Sequence, residues 1–172
     1  MPTPPNELKA KHALDDAKRE ELIGLLTKAY NAEIETVANY VANAVHLDGM
    51  LAKGVKDSLA ADATEELGHA QQLARRIKFL GGPIPGSQAL SMSQASLQPP
   101  ASTVDVKAVI LGVIEAEDDA IDTYQAIIEA AGGSDPVTEH LAITLKADEE
   151  EHRREFVGFL REFEAMKAMF TD

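Results

Sequence analysis

Apolar side chains recur at three- and four-residue steps along four stretches of the chain, which is the spacing of one face of an α-helix. The first stretch contains Leu22, Leu26 and Ala29, and it continues through Val37 to Ala44. Three further stretches repeat the spacing, and the four together cover about residues 16–50, 57–80, 103–131 and 136–172. The pattern therefore predicts four amphipathic α-helices.

Residues that end or begin helices separate these stretches. We expect a break between the first two helices around Lys53 and Gly54. The second helix meets the sequence Gly-Gly-Pro at residues 81–83, a glycine cap followed by proline, and a glycine pair at residues 132–133 ends the third. Asp-Pro at residues 135–136 supplies an N-cap and a first-turn residue for the fourth helix.

The segment of residues 81–102 is long for a connection inside a compact domain, and Gly, Pro, Ser and Gln dominate it. The other connections are short, which favours two antiparallel helical hairpins. If the long segment runs the length of the molecule, the second and third helices lie parallel. We therefore predict an all-α protein, a four-helix bundle with a long crossover between the second and third helices.

Composition supports a single helical domain. Only 5% of the 172 residues are aromatic and tryptophan is absent, a composition that suits helices better than sheets. The length fits one core, which we place at residues 16–172 after an N-terminal extension of residues 1–15. The chain shows neither a basic-then-apolar leader nor an apolar run of about 20 residues, so we expect a cytoplasmic protein without a membrane partner.

Charge and cysteine content restrict the chemistry. The 29 acidic and 16 basic residues give a formal net charge of −13, which repels nucleic acid and attracts cations. The absence of cysteine excludes disulfides, thiolate ligands and cysteine nucleophiles. A metal ion would have to be held by carboxylates and imidazoles.

Six polar residues interrupt the apolar faces in a duplicated pattern. Each half of the chain has a Glu, a Tyr seven residues later, and a Glu-x-x-His sequence that starts 33 residues after the first Glu in one half and 32 in the other. Glu and His three residues apart project from the same side of a helix. The candidate metal ligands are Glu33, Glu66, His69, Glu117, Glu149 and His152, and the tyrosines are Tyr40 and Tyr124.

Buried carboxylates need compensating positive charge, since each costs several kcal/mol when left alone in a core. Two metal ions per chain would supply that charge. Carboxylate and imidazole ligands suit iron or manganese, and zinc could also occupy such a site.

With these motifs the sequence resembles the ferritin-like superfamily, close to the bacterioferritins and Dps-like ferritins, from about residue 16 to residue 170. The resemblance implies that Glu33 with His69 and Glu117 with His152 are terminal ligands of two irons. It implies that Glu66 and Glu149 bridge the two irons and are central to catalysis. Members of the superfamily oxidise Fe(II) with dioxygen or hydrogen peroxide and store ferric mineral.

The resemblance has departures that change the expected cofactors and assembly. Haem-binding bacterioferritins carry a Met after the bridging Glu of the second helix, whereas this chain has Leu67, so no haem is expected. Only 20 residues follow His152, too few for the fifth helix of 24-subunit ferritins. The resemblance thus favours a homo-oligomer that is a dodecamer or a dimer.

Three functions remain open at this point. The first is a ferroxidase for iron storage and detoxification, with Tyr40 as a catalytic candidate because its position matches a tyrosine often found beside such sites. Core packing with a satisfied hydroxyl is the alternative for Tyr40. The second function is a non-storage di-metal enzyme, such as a manganese catalase or a small di-iron oxygenase. The third is a partner-binding bundle with an inert site.

Overall fold

The computed structural model of the protein describes residues 14–169. Among these residues it contains four long helices, α1 (Asp16–His46), α2 (Lys53–Phe79), α3 (Val106–Ala131) and α4 (Pro136–Met169), with short 3₁₀ turns at Met50–Ala52 and Ser87–Ala89. Residues 1–13, most of the expected N-terminal extension, lie outside the described residues. The predicted all-α class is confirmed.

The first connection differs from the prediction. Lys53 and Gly54 begin α2 instead of breaking the chain, and the turn lies at Leu47–Gly49, where Gly49 has φ +97°. A left-handed backbone of this kind favours glycine. Gly54 has a packing role, because a Cβ built there would lie 3.3 Å from Phe159 Cε1. The expected break at Gly54 was therefore wrong.

The helices pack as two antiparallel hairpins, α1 with α2 and α3 with α4. One apolar cluster joins the first turns of α1 and α4 to the last turns of α2 and α3, and includes Leu22, Leu73, Ile127 and Leu145. Because the ends of α2 and α3 meet in the same cluster, these two helices run parallel. The predicted crossover topology is confirmed.

A second apolar cluster fills the other end of the bundle and includes Leu59, Val109 and Phe156. All three are at most 2% exposed, and burial of such side chains stabilises the fold by roughly 1.5–3 kcal/mol each. Buried polar side chains lie in the middle of the bundle, between the two apolar clusters.

The crossover between α2 and α3 is attached along α1 by polar contacts. The Glu35 carboxylate accepts from the backbone N–H groups of Ser93 (2.7 Å) and Gln94 (2.8 Å). Asn43 Nδ2 donates to the Leu97 carbonyl at 2.8 Å, and the Leu97 side chain is buried. These contacts hold the crossover against the bundle beside the polar middle layer.

No helix in residues 14–169 has both the length and the apolar character needed to cross a membrane.

Candidate metal centre

The middle of the bundle brings together four carboxylates and two imidazoles from all four helices. Each is at most 5% exposed. Ionised carboxylates are rarely buried this completely unless they are paired with a counter-charge or bind a metal. The cluster consists of Glu33 from α1, Glu66 and His69 from α2, Glu117 from α3, and Glu149 and His152 from α4.

Two groups of potential ligands overlap in this cluster. In each group, one ligand atom from every residue lies within 4.8 Å of the others. Glu66 and Glu149 belong to both groups, so a carboxylate from α2 and one from α4 lie between two potential metal positions. The first group is Glu33, Glu66, His69 and Glu149, and the second is Glu66, Glu117, Glu149 and His152.

The two shared carboxylates each direct one oxygen toward each histidine. His69 Nδ1 lies 3.0 Å from Glu66 Oε2 and 3.0 Å from Glu149 Oε1. His152 Nδ1 lies 3.1 Å from the other oxygen of Glu66, Oε1, and 3.3 Å from Glu149 Oε2. A carboxylate whose two oxygens face different nitrogens has the orientation that bridging of two cations requires.

The outer nitrogens of both histidines face acidic residues of the opposite hairpin. His69 Nε2 lies 3.4 Å from Asp148 Oδ2, and His152 Nε2 lies 3.2 Å from Glu65 Oε2. A carboxylate at this position fixes the ring so that the other nitrogen can ligate a metal. Sequence reasoning missed both residues, although each comes directly before a shared glutamate.

The tyrosines link the two hairpins across the centre. The Tyr40 hydroxyl donates to Glu117 Oε1, and the Tyr124 hydroxyl donates to Glu33 Oε1. Both tyrosines are fully buried. Burial, followed by the charge of the paired glutamate, raises the pKa of each phenol well above 10.0, so both hydroxyls keep their protons.

The glutamates of the centre differ in their affinity for protons. Burial, reinforced by the neighbouring charges of Glu66 and Glu149, raises the pKa of Glu33 and Glu117 well above 4.5. Burial also acts to raise the pKa of Glu66, but hydrogen bonds with His152 and His69 outweigh it and lower that pKa to about 2. The shared glutamate Glu66 therefore loses its proton at a lower pH than the terminal glutamates Glu33 and Glu117.

The histidines supply positive charge when no metal is bound. Burial acts to lower both pKa values, yet close contacts with the Glu149 and Glu66 carboxylates raise the pKa of His69 to about 10 and that of His152 to about 12. The centre thus holds imidazolium ions against carboxylates. A metal ion would replace these protons, since ligating histidine is neutral at the bound nitrogen.

Several buried atoms of the centre lie 3.0–3.3 Å from an imidazole or carboxylate atom without the geometry of a hydrogen bond, which tests whether the residues fit a metal. These atoms are Glu66 Oε1, both carboxylate oxygens of Glu149, and His152 Nδ1. Buried polar atoms are normally satisfied, and these are oxygen and nitrogen donors that converge on the same space. The residues fit two divalent cations of the iron, manganese or zinc type.

Other predicted positions lie outside this centre. Leu67, at the position where haem-binding relatives carry methionine, is 42% exposed on α2. Glu150 and Glu151 point to solvent, as expected for the residues between Glu149 and His152. The structure therefore brings together all six candidate metal ligands and leaves Glu150 and Glu151 at the surface.

The chain belongs to the ferritin-like family, because the profile described as a ferritin-like domain matches residues 23–166. A protein from Pyrococcus furiosus named "DNA protection during starvation protein" is 29% identical over 145 residues, which cover 82% of this chain and 77% of that protein.

Solved structures show the same relationship. The bacterioferritin-related protein of Bacteroides fragilis, described as a dodecameric thioferritin, superposes with a TM-score of 0.82 at 27% identity, covering 90% of this chain and 92% of that one. A ferritin-like, diiron-carboxylate protein from Bacillus anthracis superposes with a TM-score of 0.72 at 26% identity, covering 83% of this chain and 97% of that one. The chain is thus similar over most of its length to proteins of the Dps and bacterioferritin groups.

Proposed function

We propose that the chain is a ferroxidase that oxidises Fe(II) at an intra-subunit di-iron carboxylate centre and serves iron storage and detoxification. The observation that carries this proposal is the sharing of Glu66 and Glu149 between two groups of ligands. Two Fe(II) ions held by common carboxylates can each give one electron to a single oxidant.

The reaction balances with either oxidant. Two Fe(II) ions and dioxygen, with two protons, give two Fe(III) ions and hydrogen peroxide. Two Fe(II) ions and hydrogen peroxide, with two protons, give two Fe(III) ions and two waters. In both cases the four carboxylates stabilise the additional positive charge of the ferric product, which favours the oxidised state.

Each residue of the centre has a defined task in this proposal. Glu33 and His69 hold one Fe(II), Glu117 and His152 hold the other, and the shared glutamates set the separation of the pair. Glu65 accepts the outer N–H of His152, and the Asp148 carboxylate lies 3.4 Å from the outer nitrogen of His69. This leaves Nδ1 of each ring to bind the substrate ion.

Tyr40 and Tyr124 act in this proposal through the carboxylates that they contact. Each phenol donates to the terminal glutamate of the opposite hairpin. The hydrogen bond holds one carboxylate oxygen, so the other is free to bind iron. We therefore assign Tyr40, the catalytic candidate from the sequence, a positioning role on Glu117.

We further propose that the chain assembles into a homo-oligomer, either a dodecamer or a dimer. The relative from Bacteroides fragilis is dodecameric. A closed shell can retain ferric mineral, whereas a dimer has no interior. Protection of DNA by such a protein would come from removal of Fe(II) and peroxide, since a net charge of −13 opposes contact with a phosphate backbone.

The test is size analysis of the purified protein before and after aerobic addition of Fe(II), with iron measured in each fraction. A storage shell elutes as a large oligomer and retains iron far beyond two ions per chain. A dimer that retains no more than two ions per chain contradicts storage. That result would not test ferroxidase activity, which would then be measured separately.

A further inference from the structure

A cavity of about 700 Å³ lies where α1, α3 and the crossover meet. Its α1 wall extends from Gly24 to Glu35, its α3 wall extends from Ala116 to Thr123, and Gln94 belongs to its crossover side. The volume falls within the roughly 300–1,000 Å³ that small-molecule sites occupy. The six candidate metal ligands are not among the lining residues, so the cavity is separate from the metal centre.

Small residues leave this space open between α1 and α3. The walls carry Gly24, Ala116 and Ala120, whereas packed helices usually fill such positions with interdigitating side chains. A Cβ built on Gly24 would meet no atom within 4 Å. The Glu35 carboxylate holds two backbone N–H groups of the crossover at 2.7 and 2.8 Å. The crossover is thus fixed beside the gap and does not fill it.

Two polar side chains of the cavity wall lack hydrogen-bond partners. Asn31 Oδ1 on α1 is buried and accepts no hydrogen bond. Thr123 on α3 is 7% exposed, and its hydroxyl bonds to no group within residues 14–169. Buried polar atoms are normally satisfied, and an unsatisfied one costs stability. Both oxygens can accept, so a ligand with N–H donors would satisfy them.

The exposed edge of the cavity carries more negative than positive charge. Asp119 and Asp122 belong to the α3 wall, and residues three apart on a helix are neighbours. Lys28 is the cation of the lining; it is exposed and forms no ion pair within residues 14–169. Carboxylates accept hydrogen bonds and donate none when ionised. The free groups of the cavity therefore favour a positively charged ligand with several N–H donors.

We propose that this cavity binds an aliphatic polyamine, a hydrocarbon chain with two or more ammonium groups. One ammonium group, which has three N–H donors, bonds to Asn31 Oδ1 and the Thr123 hydroxyl. The methylene chain packs against the methyl groups of Ala116 and Ala120, and the second ammonium group faces the Asp119 carboxylate. The site is independent of the proposed ferroxidase function, because none of these residues belongs to the metal centre.

Putrescine, a four-carbon diamine, is the probe that tests the site. It is titrated calorimetrically into the full-length protein at about 0.15 M ionic strength, where distant charges are largely screened. The comparison compound is putrescine with both nitrogens fully methylated, which keeps the two charges and has no N–H donor. The variants Thr123→Val and Asn31→Leu remove the unpartnered oxygens without changing the net charge. Glu115→Gln is the control, because Glu115 is exposed on α3 outside the cavity lining.

We expect one putrescine molecule to bind per chain, with affinity about tenfold lower in Thr123→Val and in Asn31→Leu, as loss of a hydrogen bond to a charged group implies. Affinity in Glu115→Gln should match the wild type, and the methylated compound should bind about tenfold or more weakly than putrescine.

Three results overturn the proposal. The first is the absence of measurable putrescine binding to the wild type. The second is equal affinity of the wild type for the two compounds, because the acidic surface alone then explains the binding. The third is a loss of affinity in Glu115→Gln as large as in Thr123→Val and Asn31→Leu, or no loss in any of the three variants.

Metal binding separates an effect on the cavity from an effect on the centre, since Thr123 precedes Tyr124, whose hydroxyl contacts Glu33. Co(II), whose absorbance reports binding without oxidation, is titrated into each metal-free variant. Unchanged Co(II) stoichiometry with weaker putrescine binding assigns the loss to the cavity. A wild type that binds Co(II) but not putrescine contradicts the polyamine site and leaves the metal centre intact. Asn31→Leu, on the opposite wall, provides the comparison if Thr123→Val does not fold.

Discussion

Tyr40 of the first hairpin and Glu117 of the second are joined by a hydrogen bond through the core, and the Tyr124–Glu33 bond repeats this relationship in the opposite direction. Each hairpin therefore positions a terminal carboxylate that the other hairpin carries. The centre depends on the packing of both halves, and its ligands are oriented before a metal arrives.

Replacement of Tyr40 by phenylalanine removes the donor to Glu117 and leaves that buried carboxylate free to rotate. We expect Co(II) affinity at the Glu117 and His152 position to fall about 10- to 100-fold. Tyr30→Phe is the matched control, because the Tyr30 hydroxyl contacts only the Pro85 carbonyl outside the centre, at 3.3 Å. Equal affinities in the two variants, measured by calorimetry, would show that Tyr40 only fills space.

Glu35→Ala should loosen the crossover without affecting metal binding. The substitution removes the acceptor of two backbone N–H groups, those of Ser93 and Gln94, at a cost of about 2 kcal/mol. We expect faster proteolysis within residues 81–105 and unchanged Co(II) stoichiometry. Glu20→Ala, an exposed change on the same helix, should alter stability by less than about 0.5 kcal/mol. A Glu35 variant as protease-resistant as this control would contradict the attachment.

Asp135→Ala should destabilise the junction of α2 with the start of α4. Asp135 pairs with Arg76 at 2.5 Å and accepts from the Thr138 backbone N–H at 3.1 Å. Loss of this helix cap, with the largely buried Arg76 left without its carboxylate partner, should lower the free energy of unfolding by about 2–4 kcal/mol at neutral pH. Asp118→Ala, which breaks the exposed pair with Arg153, should cost about 0–1 kcal/mol.

The pH dependence of the Asp135 effect has a definite sign. Burial acts to raise the pKa of Asp135, but hydrogen bonds with Arg76 and Thr138 outweigh it and lower the pKa below 3.8. The stabilisation is therefore complete above the unfolded-state pKa of about 3.9 and is lost as pH falls through the folded-state value. Urea unfolding at neutral and acidic pH should show the wild type and Asp135→Ala converging in acid. A constant difference would contradict this account.

We expect no DNA binding of consequence at about 0.15 M ionic strength. The basic residues near the N-terminus alternate with acidic ones and do not offset a net charge of −13. A gel-shift assay with the full chain and with residues 1–19 removed measures this. A shift that persists after truncation would contradict the prediction and assign DNA contact to the bundle surface.

Local helical geometry made the ligand set predictable from sequence. Glu and His three residues apart on an α-helix lie on the same face in any tertiary fold. The pairing of Glu66 with His69 and of Glu149 with His152 could therefore be predicted from the sequence. The duplicated spacing then added Glu33 and Glu117. The crossover topology could also be predicted. A long segment that joins two antiparallel hairpins can run the length of the bundle, and the second and third helices then lie parallel.

Contacts between distant segments were not predictable. Tyr40 lies seven residues after Glu33 and shares its helix, yet it bonds to Glu117, a choice that depends on how the hairpins face each other. The attachment of the crossover to Glu35 and the helical position of Gly54 likewise depend on tertiary packing. The sequence offers only a weak signal for either, since glutamate and glycine have many uses.

Stopped-flow oxidation of two Fe(II) per chain in the Glu66→Ala and Glu149→Ala variants tests the central claim most directly. Each substitution removes an acidic group shared by both metal positions, so rapid oxidation should be abolished and should fail more completely than in His69→Ala. The fold should survive, because the two apolar clusters are unchanged and the remaining shared glutamate still pairs with both imidazolium ions. Glu150→Gln, an exposed change beside Glu149, should oxidise Fe(II) as the wild type does. Near wild-type initial rates in Glu66→Ala and Glu149→Ala would contradict the assignment of ferroxidase chemistry to this centre.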